Sequence, residues 1–444
     1  MGYSACSYSN ILYGCFRIFR FFRTFAGMNV GLWISRRLRL GASGAGSPAA
    51  VVIAVTGVAL AVMVMEFTLA IVTGFKAGIR AKLSGFEAQV SVLAPIGGQN
   101  YGNTDFLNYT PALDSVVRSA VPADADIRMA VRQPGMLKTD DNFQGVIFLG
   151  QSAKSDFGFE RANIVDGHWP DFACDTCDNE IVLSRSLAGR FNLGVGDKVF
   201  STFVIDGNVK MRRHRVAGLY VSNFGEYDNS VVYASLRGLQ KVAGVDSLSA
   251  GSLDIRGIPF DEIENVSRRL REALVDASAR GTFAGYYPVD DILHTGALYF
   301  NWLELLDTNV AVIFILMLAV AGFTLVSSLF ILILERVRTI GVLRALGGSR
   351  PFIRQIFIDL GLRLVGMGLL VGDIVGIGLL LVQKYTQILP LDPAMYYLDA
   401  VPVEIVPWQC VALNVGVVAV SWLILMIPAT VAAHTDPSKA IESD

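Results

Sequence analysis

Residues 335–350 read ERVRTIGVLRALGGSR, and the rest of the chain is organised around them. The stretch lies between two long apolar runs, 309–334 and 356–383, and it carries Glu335, Arg336, Arg338, Arg344 and Arg350. An arginine-rich connector this short, set between two membrane spans, belongs on the cytoplasmic side. Its apolar residues, Val337, Ile340, Val342, Leu343 and Leu346, do not suit a loop that only turns around in water. Ile340, Leu343 and Leu346 recur at helical spacing, which predicts a short amphipathic helix. Gly347-Gly348 supplies a stop for that helix, and Ser349 with Pro351 a start for the next. Two readings are open at this point: an interfacial helix that orients two spans, or a docking helix for a cytoplasmic partner.

Composition narrows the class. Of 444 residues, 53% are hydrophobic and 17% charged, with a mean hydropathy of +0.49. Soluble domains carry about a quarter charged residues, so this is an integral membrane protein. A net charge of −2 gives no electrostatic case for nucleic acid. His168, His214, His294 and His434 are scattered, with no HExxH or paired Cys/His spacing, so no metal site is expected. GxxxxGK[ST] does not occur, so the chain does not cradle ATP with a P-loop of its own. Cys174 and Cys177 form a single CxxC flanked by Asp175, Asp178 and Glu180, acids that raise a thiol pKa; the pair reads as structural, and as a disulfide only outside the cytoplasm.

Along the chain, residues 1–47 form a basic cytoplasmic lead-in, in which 1–27 read either as a basic amphipathic surface helix or, the favoured reading, as sequence upstream of a translation start at Met28. Span one is 48–75, and Arg36, Arg37 and Arg39 before it keep the N-terminus inside. Glu66 lies within this span, where an acid must face protein or water. Residues 76–300 are a mixed-charge hydrophilic insert, extracytoplasmic by the inside N-terminus. It reads as strands and helices in a βαβ-like unit early, another late, and a strand-rich block at about 125–245 between them, which suggests two subdomains, one split by the other. Span two is 307–334, the connector region 335–355, span three 356–383, an outer loop 384–407, span four 408–433 and a cytoplasmic tail 434–444. Asp359, Arg363 and Asp373 lie in or near span three, whose glycines Gly361, Gly366, Gly368, Gly372, Gly376 and Gly378 allow close helix packing. The expected fold is therefore an α-helical membrane protein of four spans, with a large α+β domain inserted between the first and second.

This order meets a recognisable pattern. ERVRTIGVLRALGGSRPFIRQIF resembles the signature of the FtsX-like permease family, the membrane subunits of MacB-type ABC systems, and PSKAI resembles its C-terminal pattern. Three further stretches resemble the lipoprotein-releasing permeases within that family: TLAIVTGFKAGIRAKLSGFEAQVSVL, GLYVSNFGEYDNSVVYASL and LPLDPAMYYLDAVPVEI. The resemblance runs from about Met28 to Ile441. It departs from the family at Thr339, where many relatives carry an acid.

The resemblance implies a MacB-like periplasmic domain and a multi-pass protein of the bacterial inner membrane. It implies a non-catalytic subunit that binds no cofactor, with ATP-Mg held by a partner ATPase. Glu335, Arg336, Arg338 and Arg344 would meet that ATPase, with Ile340, Leu343 and Leu346 as apolar knobs. The hairpin of residues 132–144, with Arg132, Gln133 and Met136, is the candidate contact for a periplasmic lipoprotein carrier. Met63, Phe67, Ile71 and Phe75 recur every four residues on span one and would line a cavity for lipid or lipoprotein; ordinary span packing is the competing reading. The further implied partners are a second permease, identical or paralogous, the lipoprotein substrate and membrane lipid. The function expected is ATP-driven release of lipoproteins by mechanical coupling. The alternatives are a MacB-type exporter, an FtsX-like regulator of cell-wall hydrolases or, from another class, a membrane-anchored binding or sensor protein.

Overall fold

The computed structural model describes residues 48–95, 106–139, 142–152, 157–205, 207–283 and 285–433. The expectations for 1–47 and for the tail at 434–444 lie outside them, as do residues 140 and 141 of the 132–144 hairpin. Among the described residues, four helices are long and apolar enough to cross a membrane: span 1 (Pro48–Phe86), span 2 (Ala297–Glu335), span 3 (Arg350–Thr386) and span 4 (Pro407–Ala433). At about 1.5 Å per residue, the 39-residue spans 1 and 2 far exceed a hydrocarbon core about 30 Å thick. Their outward ends are polar, and the chain divides accordingly. A membrane unit takes the residues up to 76, 305–390 and those from 400 onward; an outer unit takes 77–304 and 391–399.

In the membrane unit, Val58, Val62 and Met65 of span 1 pack with Leu325 and Leu329 of span 2, Leu364 and Val365 of span 3, and Leu425 of span 4. Span 3 reaches span 1 through glycine. A Cβ at Gly368 would meet the Val58 side chain at 2.7 Å, and one at Gly372 would sit 2.9 Å from the Ala59 carbonyl oxygen. These glycines, with Gly376, recur every four residues, so one face of span 3 is bare backbone against span 1. That is the small-residue packing membrane helices use where lipid supplies no hydrophobic drive between them. Lys76 and Asp307 pair at 2.5 Å between spans 1 and 2.

The outer unit is α+β. Its strands are β1 (Val90–Leu93), β2 (Leu107–Asn108), β3 (Asp126–Lys138), β4 (Phe143–Gln151), β5 (Ile164–Gly167), β6 (Glu180–Ser184), β7 (Lys198–Ile205), β8 (Asn208–Tyr220), β9 (Val231–Ser235), β10 (Ser249–Ala250), β11 (Ser252–Arg256) and β12 (Val289–Asp291). Ten of them form one mixed sheet, ordered β12-β1-β11-β3-β4-β9-β6-β8-β5, with β7 pairing both β3 and β8. The thirteen-residue β3 joins two cores. Its first half pairs with β11 and its second half with β7, while β4 runs along most of it.

One core lies around β1, β11 and the helices Pro111–Ala120 and Ile263–Ala279, with Leu113, Val117, Ile255, Val266 and Leu270 buried. Thr110 caps the first helix by accepting from the Leu113 N–H. The other core gathers Leu137, Phe148, Leu183, Phe203, Val216 and Leu239. No disulfide joins Cys174 and Cys177; the first precedes and the second lies within the tight 3-10 turn Asp175–Asn179. Asp178 of that turn takes hydrogen bonds from Ser235, Arg237 and Lys241 and so pins it to the helix Leu236–Ala243.

Candidate functional site

The connector helix spans Val337–Ala345. It ends in a glycine cap: the Gly348 N–H donates to the Leu343 carbonyl at 2.9 Å, the Gly347 N–H donates to that of Arg344 at 3.0 Å, and Gly347 has φ +93°. This is the Schellman arrangement, and the left-handed φ is why glycine stands there. Ser349 then stands at the N-cap position of span 3, its side chain making no capping hydrogen bond, with proline in the first turn.

The helix has two apolar edges, and the structure divides them. Ile340 is 3% exposed and packs with Leu332, Ile333, Ile353 and Phe357 from spans 2 and 3. With Leu343 and Arg336 it borders a void of about 30 Å³ beneath the helix. Arg338, Val342, Ala345 and Leu346 are on the open face, with Val342 50% and Leu346 81% exposed. The expected row of knobs is thus corrected. Ile340 faces inward and fastens the helix to the spans, Leu343 is half-buried, and Leu346 is the expected knob that stands free. Val342, absent from the expected set, joins it. Among the charged residues Glu335 and Arg338 are exposed, while Arg336 and Arg344 are half-buried. An i, i+4, i+8 row of Arg338, Val342 and Leu346 was present in the sequence. The i, i+3, i+6 row was equally regular, and which one turns outward depends on how the ends of spans 2 and 3 meet.

Higher in the membrane unit lies an open apolar cleft of about 430 Å³, bordered by Met65 and Leu69 of span 1, Phe314 and Leu318 of span 2, and Trp408 and Leu413 of span 4. The stripe expected to line such a cavity is elsewhere. Met63 lies against Gly376 of span 3. Phe67 packs with Ala70, Leu380 and Val403. Ile71 is half-buried and Phe75 is 8% exposed. None of Met63, Phe67, Ile71 and Phe75 borders the cleft, and Met65 and Leu69, part of a turn away, face it.

In the outer unit the hairpin residues separate in the same way. Arg132 grips Asp254 with both terminal nitrogens (3.2 and 3.0 Å), donates to Ser252 Oγ at 3.0 Å and reaches Glu87 at 3.4 Å. Burial works to raise the Asp254 carboxyl; the Arg132 charge and the Arg132 and Ser252 hydrogen bonds outweigh it and hold that carboxyl below the usual range. Gln133 is 4% exposed. Gln133 is therefore interior, and Arg132, whose side chain is 33% exposed, is committed to Asp254, which corrects their reading as free carrier contacts; Met136 is the most exposed of the three, at 41%.

It has company there. Register places Met136 beside Thr202, Thr202 beside Met211, Val204 beside Val209, and Phe143 and Phe200 on either side of Lys138. Phe143 is 74%, Phe200 48%, Val204 66%, Val209 65% and Met211 61% exposed, so one sheet face is a broad apolar patch. The sequence carries a signal for it: β7 is apolar in both phases, with Val199, Phe203 and Ile205 buried and Phe200 and Val204 not.

Two further features complete the outer unit. Arg256 donates to the carbonyls of Gly85 and Phe86, the last residues of span 1, at 2.8 and 3.1 Å, and pairs with the buried Glu160 at 3.0 Å. A cation there answers the unpaired carbonyls of a helix end. The loop 391–399 also belongs to this unit. Tyr397 stacks on Phe224 at 5.0 Å, its carbonyl accepts from Lys82 at 2.9 Å, and Asp399 accepts from Asn223 at 3.0 Å. Lys82, Asn223 and Tyr397 come from three stretches widely separated in sequence.

Comparison with known proteins follows this layout. The MacB-like periplasmic core domain matches residues 51–298, and the FtsX-like permease C-terminal region matches 311–437. The chain belongs to the MacB-type, FtsX-like permease family.

Two proteins named lipoprotein-releasing system transmembrane protein LolC are similar along nearly their full length. That of Xylella fastidiosa is 25% identical over 411 residues, 87% of this chain and 92% of that protein. That of Neisseria meningitidis is 24% identical over 414 residues, 88% and 93% respectively. The LolE protein of Haemophilus influenzae is 28% identical over 149 residues, 32% of this chain and 36% of that one. As a MacB-type permease the chain is the membrane subunit of an ABC transporter, multi-pass in the inner membrane, with its large domain in the periplasm. An ABC permease without a P-loop implies a cytoplasmic ATPase and a companion permease.

Proposed function

We propose that this permease releases lipoproteins from the inner membrane, driven by a separate ATPase that holds the ATP-Mg. The observation that carries the reading is the likeness to the LolC proteins across both the outer domain and the spans, over 87% of the chain. The open face of the connector, Arg338, Val342 and Leu346, seats in a groove of the ATPase, and Ile340 passes its movement to spans 2 and 3. Acyl chains lodge in the apolar cleft between Leu69, Phe314 and Trp408. Each buried CH₂ holds the lipoprotein by about 0.8 kcal/mol, so withdrawing several chains requires coupling to ATP. The apolar sheet face around Met136, Phe143 and Met211 receives the periplasmic carrier, or the acyl chains on their way to it.

The test is depletion of the protein in its host, followed by fractionation. Outer-membrane lipoproteins are expected to accumulate in the inner membrane. Normal sorting accompanied by drug sensitivity or a division defect would sink the proposal and favour an exporter or a cell-wall role.

A further inference from the structure

Glu66 is the one charged residue in the apolar run 49–75 of span 1, and it is 2% exposed. Neither of its carboxylate oxygens receives a hydrogen bond from an amide, amine or hydroxyl donor. It lies within hydrogen-bonding reach of Asp373 on span 3. Asp373 in turn accepts a single such bond, from Asn414 Nδ2 of span 4 at 2.8 Å, leaving its Oδ1 buried without a donor. The Asn414 side-chain oxygen is buried without one as well. Cys410 of span 4 is the other titratable group facing the two acids. Among the described residues, no Lys, Arg or His pairs with either carboxyl.

Donors and acceptors do not balance. Two carboxyl groups and an amide oxygen converge, and one amide N–H₂ serves them. Carboxylates this close and this dry cannot both be ionised, and a hydrogen bond between them needs a proton on one. The approach is enforced by the glycine face of span 3, since a Cβ at Gly376 would collide with Glu66 Oε2. An acid in a span persists where it faces protein and has a partner.

We propose that Glu66, Asp373 and Asn414 form an intramembrane proton-binding site that locks span 1 onto the glycine face of span 3. One proton is shared by the Glu66 and Asp373 carboxyls, and Asn414 fixes the far oxygen of Asp373. While the proton is present the two spans remain zipped. When they part and water enters, the proton passes to water, both carboxylates carry charge, and their repulsion holds the helices apart until a proton returns. Span separation and proton occupancy are thereby linked in both directions.

Infrared spectroscopy of the full-length chain in lipid nanodiscs at neutral pH tests this. Exposed carboxyls are ionised there, so a carbonyl-stretch band of a protonated carboxylic acid reports a buried one. The band is expected in the parent protein and absent from the isosteric Glu66→Gln/Asp373→Asn variant; Glu66→Gln alone, with its amplitude cut at least by half, serves if the double variant does not fold. A parent protein without the band, or a variant that keeps it at full amplitude, overturns the proposal. So does a parent without the band whose melting temperature rises with sodium and not with choline, which would make the site one for a metal cation.

Discussion

Truncating Leu346 to alanine should uncouple the ATPase and leave the fold intact, while the same truncation at Ile340 should do the reverse. Leu346 is 81% exposed and Ile340 3%, although both stand on one short helix. Seating Leu346 in a groove would bury nearly all of its side chain, and losing three carbons at about 0.8 kcal/mol each removes about 2 kcal/mol of binding. That corresponds to about thirtyfold in Kd. Substitution of an exposed side chain shifts stability by no more than about 0.5 kcal/mol. Ile340, packed between Leu332, Ile353 and Phe357, falls under the cost of emptying a core site, about 2–5 kcal/mol. The assay is paired: titration of the purified chain with its ATP-binding subunit in mild detergent, and thermal unfolding of the same samples. Leu346→Ala should weaken binding about thirtyfold with an unchanged melting curve, and Ile340→Ala should lower the melting temperature while binding at permissive temperature stays close to the parent. A Leu346→Ala protein that binds as the parent does would refute the assignment of the open face as the docking face.

Three further outcomes follow from the packing and charge described above. Gly372→Val pushes a side chain onto the Ala59 carbonyl and should destabilise the chain by about 1–3 kcal/mol, read by thermal unfolding in detergent; Gly378→Ala, which meets nothing within 4 Å, should be silent. Arg256→Met leaves the buried Glu160 with Arg128 at 3.6 Å and takes the donor from the carbonyls of Gly85 and Phe86, for a loss of about 1.5–3 kcal/mol in chemical denaturation. His214 is 5% exposed against Phe148, and burial pushes its imidazole down to about 4. The folded state thus refuses a proton that the unfolded chain takes up near pH 6.5, so stability is full above that pH and falls between pH 6.5 and 4, by about 3 kcal/mol in total. Melting curves across that range should show the slope, and His214→Leu should flatten it.

The spans and the insert were legible because their signals are one-dimensional. A run of apolar residues longer than a bilayer reads the same whatever it packs against, and in β3 and β4 alternation and a turn announce a hairpin. The connector was legible as a helix and its glycine stop as a stop, since Gly347 and Gly348 act on their own backbone. Phase was not legible. Span 1 is apolar all round, so nothing in its sequence says that Met65 turns to the cleft while Met63 turns to Gly376. The same holds for Ile340 against Val342, and for Glu66, whose partner lies some three hundred residues downstream. Arg132 shows the converse error: a charged residue near a hairpin looks free to meet a partner until Asp254, from a strand that follows much later, is seen to claim it.

The loop 391–399 has a practical consequence for anyone who wants the periplasmic domain alone. That domain is written in two separate places in the gene, and cutting at residues 77 and 304 discards the second. The excised protein would show water the face of Phe224 that Tyr397 covers, and would leave Asn223 and Lys82 without the groups they bind. A soluble version should instead carry residues 391–399 on a short linker after residue 304, or be given the nonapeptide in solution. The concentration at which the free peptide restores the domain's melting temperature would measure how firmly that loop is held.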